Sequence, residues 1–282
     1  MTWVIRGRCG TPPSYRRAGR PSRTAGAAGS LRDMAIERPS QSPPWTPLGW
    51  RASDLALGLL LVLVGLGGLI GIGVALATVL DVGDPAEDAA AALLSAIIGF
   101  GFEVWLGVLV LLLALRRGIT GTDFGFDAPH NWRLVSIGVL GAWTVILVYG
   151  IGLALIQKVT GADLGQFTEG NALPESSART AAVWAALGLS IVVAAPLCEE
   201  LFFRGFLFRA FDTLQGTRVA YVLSGLGFAL FHFNLSVVLP FWVIGVLFAW
   251  IYRKSGSIWT PIAAHAIFNA VSFAVTIAGA TS

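Results

Sequence analysis

The sequence predicts an all-α protein, a polytopic transmembrane helical bundle of about seven spans, within a range of six to eight. Three observations predict it. Of the 282 residues, 55% are apolar and only 12% are Asp, Glu, Lys or Arg, about half the charged share of a soluble protein. Mean hydropathy is +0.74 for a mass of 29.7 kDa, and no soluble domain of that size has enough interior for so much apolar side chain. The apolar residues fall in long runs between charges, without the alternation of a membrane barrel, so the spans are helices that satisfy their own backbone groups. These features exclude a cytosolic globular enzyme and a disordered chain. Cys9 and Cys198 lie far apart, one of them in an apolar run, so no disulfide framework is implied.

Residues 1–51 contain nine of the nineteen basic residues, Arg6, Arg8, Arg16, Arg17, Arg20, Arg23, Arg32, Arg38 and Arg51, against Asp33 and Glu37. With Pro, Gly and Ser between them and no apolar period, they read as a disordered basic tail. No apolar h-region precedes residue 55, so the segment is not a secretory signal peptide. Contact with anionic lipid suits its charge; no nucleic-acid partner is expected. Met34 opens the cleaner sequence Met-Ala-Ile-Glu, which makes it a candidate start, with residues 1–33 expected to be dispensable.

The remainder divides into an N-terminal group of helices over 52–179 and a second group over 180–278. Leu55–Leu80, Leu134–Gln157 and Thr180–Cys198 carry no charge, and Ala89–Leu115 carries only Glu103. Val219–Tyr252 is 34 residues without a formal charge, too long for one span of about 20 residues. Asn234, Ser236 and Pro240 mark a break within it. Ser255–Ser282 is the last run. The expected spans are 55–80, 90–115, 134–157, 180–198, 219–233, 237–252 and 258–278, the fifth and sixth short and the fourth able to continue past 198. The loop 81–88 has four acids and no base, whereas Arg116–Arg117, Arg204, Arg209, Arg218 and Arg253–Lys254 lie on the opposite side. Basic loops face the cytoplasm, so the N-terminus is expected inside. Trp50, Trp132 and Trp259 near span ends read as interfacial anchors.

Polar groups inside a bilayer are costly and are functional candidates by default. At the end of the fourth run the chain reads Cys198-Glu199-Glu200-Leu-Phe-Phe-Arg204. Glu200 and Arg204 are i,i+4 neighbours in the favourable order; Glu199 points about 100° away, free for another task. Phe228-Ala-Leu-Phe-His232 and His265-Ala-Ile-Phe-Asn269 follow on later spans, with His265 and Asn269 on one helix face. Alone, each has a bland reading as a boundary ion cluster or a satisfied interhelical histidine. Together on successive helices they suggest chemistry. A buried carboxylate can serve as general base on water, and His and Asn can polarise a carbonyl or hold an oxyanion. Alternatively, Glu199, His232 and His265 would form a three-ligand site for a divalent metal such as Zn²⁺, with one open position.

These three motifs resemble the core of the CPBP family, the CAAX-processing and bacteriocin-processing (Abi) membrane proteins, which include the type II CAAX prenyl endopeptidases. The family pattern is E-E-x-x-x-R, F-x-x-x-H and H-x-x-x-N or D, and this chain carries all three in order over about residues 180–278. The resemblance implies an intramembrane endopeptidase, of glutamate-dependent or metallo type, whose motif residues line a cavity open toward the cytoplasm. Glu199 would activate water with help from His232. His265 and Asn269 would hold the oxyanion or serve a metal, and Glu200 and Arg204 would support the site. The substrate would be a hydrophobic or lipidated, prenylated CAAX-type peptide in the bilayer. Substrate identity and oligomeric state are not legible in the sequence.

Other candidates rank lower. Cys198 reads as a small hydrophobe rather than a nucleophile, Glu103 as a structural partner of another helix, and His130 as a loop surface residue. A transporter or proton-coupled carrier would use the same buried Glu and His, but the spans show no inverted repeat and the polar clusters all fall in the C-terminal part. A non-catalytic membrane scaffold is the remaining alternative.

Overall fold

A computed structural model of the chain describes residues 45–167 and 180–281, and the expectations for residues 1–44, the second start at Met34 included, lie outside them. Seven principal helices follow one another, with no strand among the described residues: α1 Ala52–Leu80, α2 Ala89–Arg117, α3 Trp132–Thr160, α4 Ala181–Gln215, α5 Thr217–Leu230, α6 Val238–Ser255 and α7 Trp259–Thr281. Six are long and apolar enough to cross a membrane; α5, with 14 residues, is shorter than a span. The chain is an all-helical integral membrane protein.

Local chemistry sets the helix ends. The Asp88 carboxylate accepts the N–H groups of Ala90 and Ala91 at the start of α2 and that of Gly83 in the loop before it. These donors hold its carboxyl below the usual carboxylate range. Arg116 and Arg117 occupy the last turn of α2, where cations suit the helix dipole. Arg117 reaches back to α1 with a two-pronged ion pair to Asp54, Nη2 to Oδ1 at 2.7 Å and Nε to Oδ2 at 2.8 Å. Asn131 caps α3. Gly118, Gly161 and Gly256 end their helices in the left-handed conformation.

The fourth apolar run does not stop at Cys198. Its helix continues to Gln215 and contains two π-helical stretches, Leu189–Ala194 and Leu201–Phe208, on either side of Ala195–Glu200. Gly216, at φ +86°, turns the chain into α5. Residues 231–237 make the break expected within the 34-residue run: Phe233 adopts φ +50°, and the Asn234 side chain accepts the Ser236 N–H.

The helix α4 occupies the middle. Phe202, Phe203, Phe206 and Phe208 are buried, as are Phe228 of α5 and Phe248 of α6. The helices α5 and α6 form a hairpin that closes on two glycines. A Cβ at Gly245 would stand 2.8 Å from the Gly225 Cα, and one at Gly225 would stand 3.0 Å from α6 backbone atoms. The α1–α2 contact is looser, built on the Trp105 indole, which lies over Gly65 and donates Nε1–H to the Leu61 carbonyl at 3.1 Å.

Two expectations change at the N-terminal edge. Residues 45–51 were assigned to the disordered tail, yet the described part of that segment docks on α4. The Trp45 Nε1–H donates to Asp212, Arg209 donates to the Thr46 carbonyl and Leu48 is buried. Trp50 is not an interfacial anchor: it is 2% exposed, packs edge-on to Phe206 and donates to the Gly205 carbonyl. Trp132 and Trp259 are exposed, and the Trp259 Nε1–H donates to the Phe126 carbonyl. His130 is exposed in its loop.

Candidate active site

The motif residues come from four segments: α4 for Glu199, Glu200 and Arg204, the end of α5 for Phe228, the turn after it for His232, and α7 for His265 and Asn269. Glu200 is fully buried and central. Its Oε1 accepts from Arg204 Nη1 at 2.8 Å and from His265 Nδ1 at 2.9 Å. The first contact is the i,i+4 pair legible in the sequence; the second joins α4 to α7 across 65 positions. Arg204, also fully buried, donates Nη2–H to the Gly245 carbonyl at 3.2 Å. That carbonyl is within reach because the α5–α6 hairpin is so close. A buried ion pair costs its desolvation unless further hydrogen bonds complete it; here a histidine and a backbone carbonyl do so in part, while the Glu200 Oε2 and the Arg204 Nε stay buried without a partner.

Phe228 links the parts. Its ring lies 4.6 Å from the Arg204 guanidinium carbon, and its centroid is 5.0 Å from that of His232 and 5.8 Å from that of His265. Desolvated cation–π contacts of this kind contribute about 2 kcal/mol. Phe228 opens the F-x-x-x-H motif, but the sequence assigns it no role in the site. Its signal was the i,i+4 spacing to His232, which puts both side chains on one face.

The His232 Nδ1 stands 2.8 Å from the Phe228 carbonyl oxygen. A carbonyl can only accept, so this nitrogen carries the proton and Nε2 is left with its lone pair. The same assignment holds for His265, whose Nδ1 faces a carboxylate already paired with Arg204. Both imidazoles therefore offer an Nε2 acceptor. They border a cavity of about 20 Å³ lined also by Phe241, Phe248, Phe268 and Asn269, a volume sufficient for one water molecule.

Glu199 is buried at 5% exposure, and its Oε2 has no hydrogen-bond partner. It does not line that cavity. Its first electrostatic neighbour is Glu103 of α2, followed by Glu200 and Arg204. The Glu103 Oε2 is likewise buried without a partner. Glu103 is thus not tied into an interhelical pair as expected; it faces the site's one uncommitted carboxylate. Cys198 is buried against Gly107 of α2. Asn269 donates Nδ2–H to the Ile191 carbonyl of α4 at 2.8 Å.

As arranged, the residues do not make a metal centre. Among the described residues, no three His, Cys, Asp or Glu side chains gather closely enough to hold one ion. His232 and His265 each present a free Nε2 with the other nitrogen anchored, as metal-binding imidazoles do, but Glu199 does not complete the set.

Residues 181–271, which contain all three motifs, match the family model described as "Type II CAAX prenyl endopeptidase Rce1-like". The resemblance carried by the motifs holds over that segment. Two Bacillus subtilis (strain 168) proteins are similar to the chain. One, named "Putative membrane peptidase YdiL", is 28% identical over 171 residues, covering 58% of this chain and 66% of its own length. The other, "Uncharacterized protein YyaK", is 31% identical over 178 residues, covering 59% of this chain and 54% of its own length. The chain therefore spans between about half and two thirds of the length of these curated relatives. No solved structure matches it significantly.

Proposed function

We propose that the chain is an intramembrane endopeptidase that hydrolyses a peptide bond in a membrane-associated, lipidated peptide, with water activated by Glu199. The observation that carries this reading is the division of labour within the glutamate pair. Both Oε2 atoms are buried without a partner, but the Glu200 carboxylate is tied through Oε1 to Arg204 and His265, whereas Glu199 takes part in none of the ion pairs among the described residues. One carboxylate builds the site and the other is left to accept a proton. The family match over the same residues supports the reading, and the prenylated CAAX class of substrate comes from that match alone.

In the proposed reaction the water oxygen attacks the scissile carbonyl carbon as its proton passes to Glu199, and the proton then goes to the leaving amine. The lone pair on His232 Nε2 orients the water by accepting its second hydrogen. His265, its ring fixed by the Nδ1 contact to Glu200, borders the same cavity and helps to position the scissile carbonyl. Glu199 swings from its place beside Glu103 as substrate enters; such contacts often tighten only in the Michaelis complex. Resistance of the purified activity to strong chelators is the outcome this route expects. The site is assigned to the cytoplasmic half of the bilayer on the distribution of Arg and Lys.

The test is peptide cleavage in proteoliposomes. Glu199→Gln keeps the shape but removes the base, and should lower kcat about 100- to 10,000-fold with unchanged thermal stability. Glu200→Gln should lower stability as well, because it strands Arg204. Full activity of the Glu199→Gln protein would overturn the reading.

A further inference from the structure

The π-helical stretch Leu189–Ala194 carries a built-in defect. In a π-helix each carbonyl accepts from the N–H five residues on, and the register is seen directly where the Ala195 N–H donates to the Ser190 carbonyl. The next carbonyl, Ile191, would accept from residue 196. Residue 196 is proline and has no N–H. Within a bilayer a backbone carbonyl without a donor costs at least as much as a lost hydrogen bond, whether protein or lipid lies beside it. The donor comes from another helix: Asn269 Nδ2, 2.8 Å from the Ile191 oxygen.

We infer that Asn269 is a positioning residue for the reaction, its side-chain N–H replacing the backbone N–H that Pro196 lacks and so fixing the register of α4 against α7. Geometry makes the fixing specific. His265 and Asn269 are one turn apart on α7 and grip α4 at two points, Glu200 and Ile191. The two helices run antiparallel, so the later α7 residue meets the earlier α4 residue. Between the grips lie Pro196, Cys198 and Glu199. Without the Asn269 bond, α4 can close the π turn into an α turn, in which Ile191 accepts from the Ala195 N–H. Each α-helical residue turns about 100° and each π-helical residue less, so that closure rotates the glutamate pair away from His265 and His232. Asn269 thereby acts on the chemistry through the glutamates.

The inference rests on the endopeptidase reading only for its kinetic arm. The experiment is a double-mutant cycle on the full chain with Asn269→Ala, Pro196→Ala and the double variant. Alanine at 196 restores an N–H where the Ile191 carbonyl needs one. Asn269→Ala should lower the unfolding midpoint of the otherwise natural protein by about 3–8 °C, and by less than about 1 °C when combined with Pro196→Ala. The same variant should lower kcat with KM unchanged, and the loss should shrink at least several-fold in the Pro196→Ala background. If Asn269→Ala alone does not fold, recovery of folding by Pro196→Ala supports the inference and its failure overturns it. Equal thermal losses in the two backgrounds would also overturn it. Thermal coupling with an undiminished kcat loss would show that Asn269 touches the reacting atoms instead. Should no peptide be cleaved, the thermal cycle still decides the Asn269–Pro196 relation while the endopeptidase reading falls on its own test.

Discussion

The helices α1 and α4 are both long apolar segments, and they differ in what covers them. On α1 only Asp54, Gly58 and Val62 are buried, and Leu60, Leu63, Val64, Val74 and Val79 are more than half exposed. On α4 every residue from Cys198 to Ala210 is buried. The first helix uses lipid as its solvent; the second uses protein. Both pass as membrane spans by hydropathy, yet α1 carries its one charge, Asp54, at its first turn, where Arg117 meets it, and only α4 carries charge along its middle, where a histidine, a backbone carbonyl and three aromatic rings surround the ions. The same contrast separates the glycines. Those at 67, 68 and 71 face open space, while Gly225 and Gly245 each face the backbone of the other's helix.

Breaking this contrast is most severe at the ion cluster. Arg204→Ala leaves Glu200 buried without its cation, a loss of about 3–5 kcal/mol, and should lower folded yield and activity together. Leu63→Ala on α1, at 66% exposure, should leave the unfolding midpoint unchanged. Normal thermal stability of the Arg204 variant would mean that water reaches Glu200. The hairpin comes next. Gly225→Val must displace α6 backbone and should cost about 1–3 kcal/mol, whereas Gly71→Val should be neutral; equal midpoints for the two would refute the close approach. The smallest effect tests the ionic tie of α1. Asp54→Asn loses the charge facing Arg117 and should cost up to about 1 kcal/mol, read as a lower midpoint that high salt partly masks in the natural protein.

Much of this was legible from the chain. Charge-free runs located the long helices to within a few residues, and the i,i+4 spacings paired Glu200 with Arg204 and put His265 with Asn269. What was not legible depended on tertiary partners. That the fourth helix could continue past 198 was legible, but how far was not: the charges on α4 lie inside protein, so the helix runs on to Gln215. Trp50 looked like an interfacial anchor because a tryptophan beside a span usually is one, and nothing local reveals the Gly205 carbonyl that receives its N–H. Pro196 was visible, but its consequence was not: only α7, folded back on α4, shows which carbonyl the proline orphans and which side chain serves it. Glu103 was read as half of an interhelical pair, and the structure places it instead beside Glu199.

The spacing of Glu200 and Arg204 also bears on how the protein is made. The helices that bring the Gly245 carbonyl and His265 follow α4 in the chain and have yet to pack on it when it first enters the bilayer; His265 follows Arg204 by 61 positions. A charged side chain at the centre of an inserting helix costs about 2.5–3.5 kcal/mol, and α4 must bring in an arginine and two glutamates at once. The 2.8 Å contact between Arg204 and Glu200 is made within the helix itself. The nascent segment thus carries its own counter-ion into the membrane, and the later helices complete a pair that has already survived insertion.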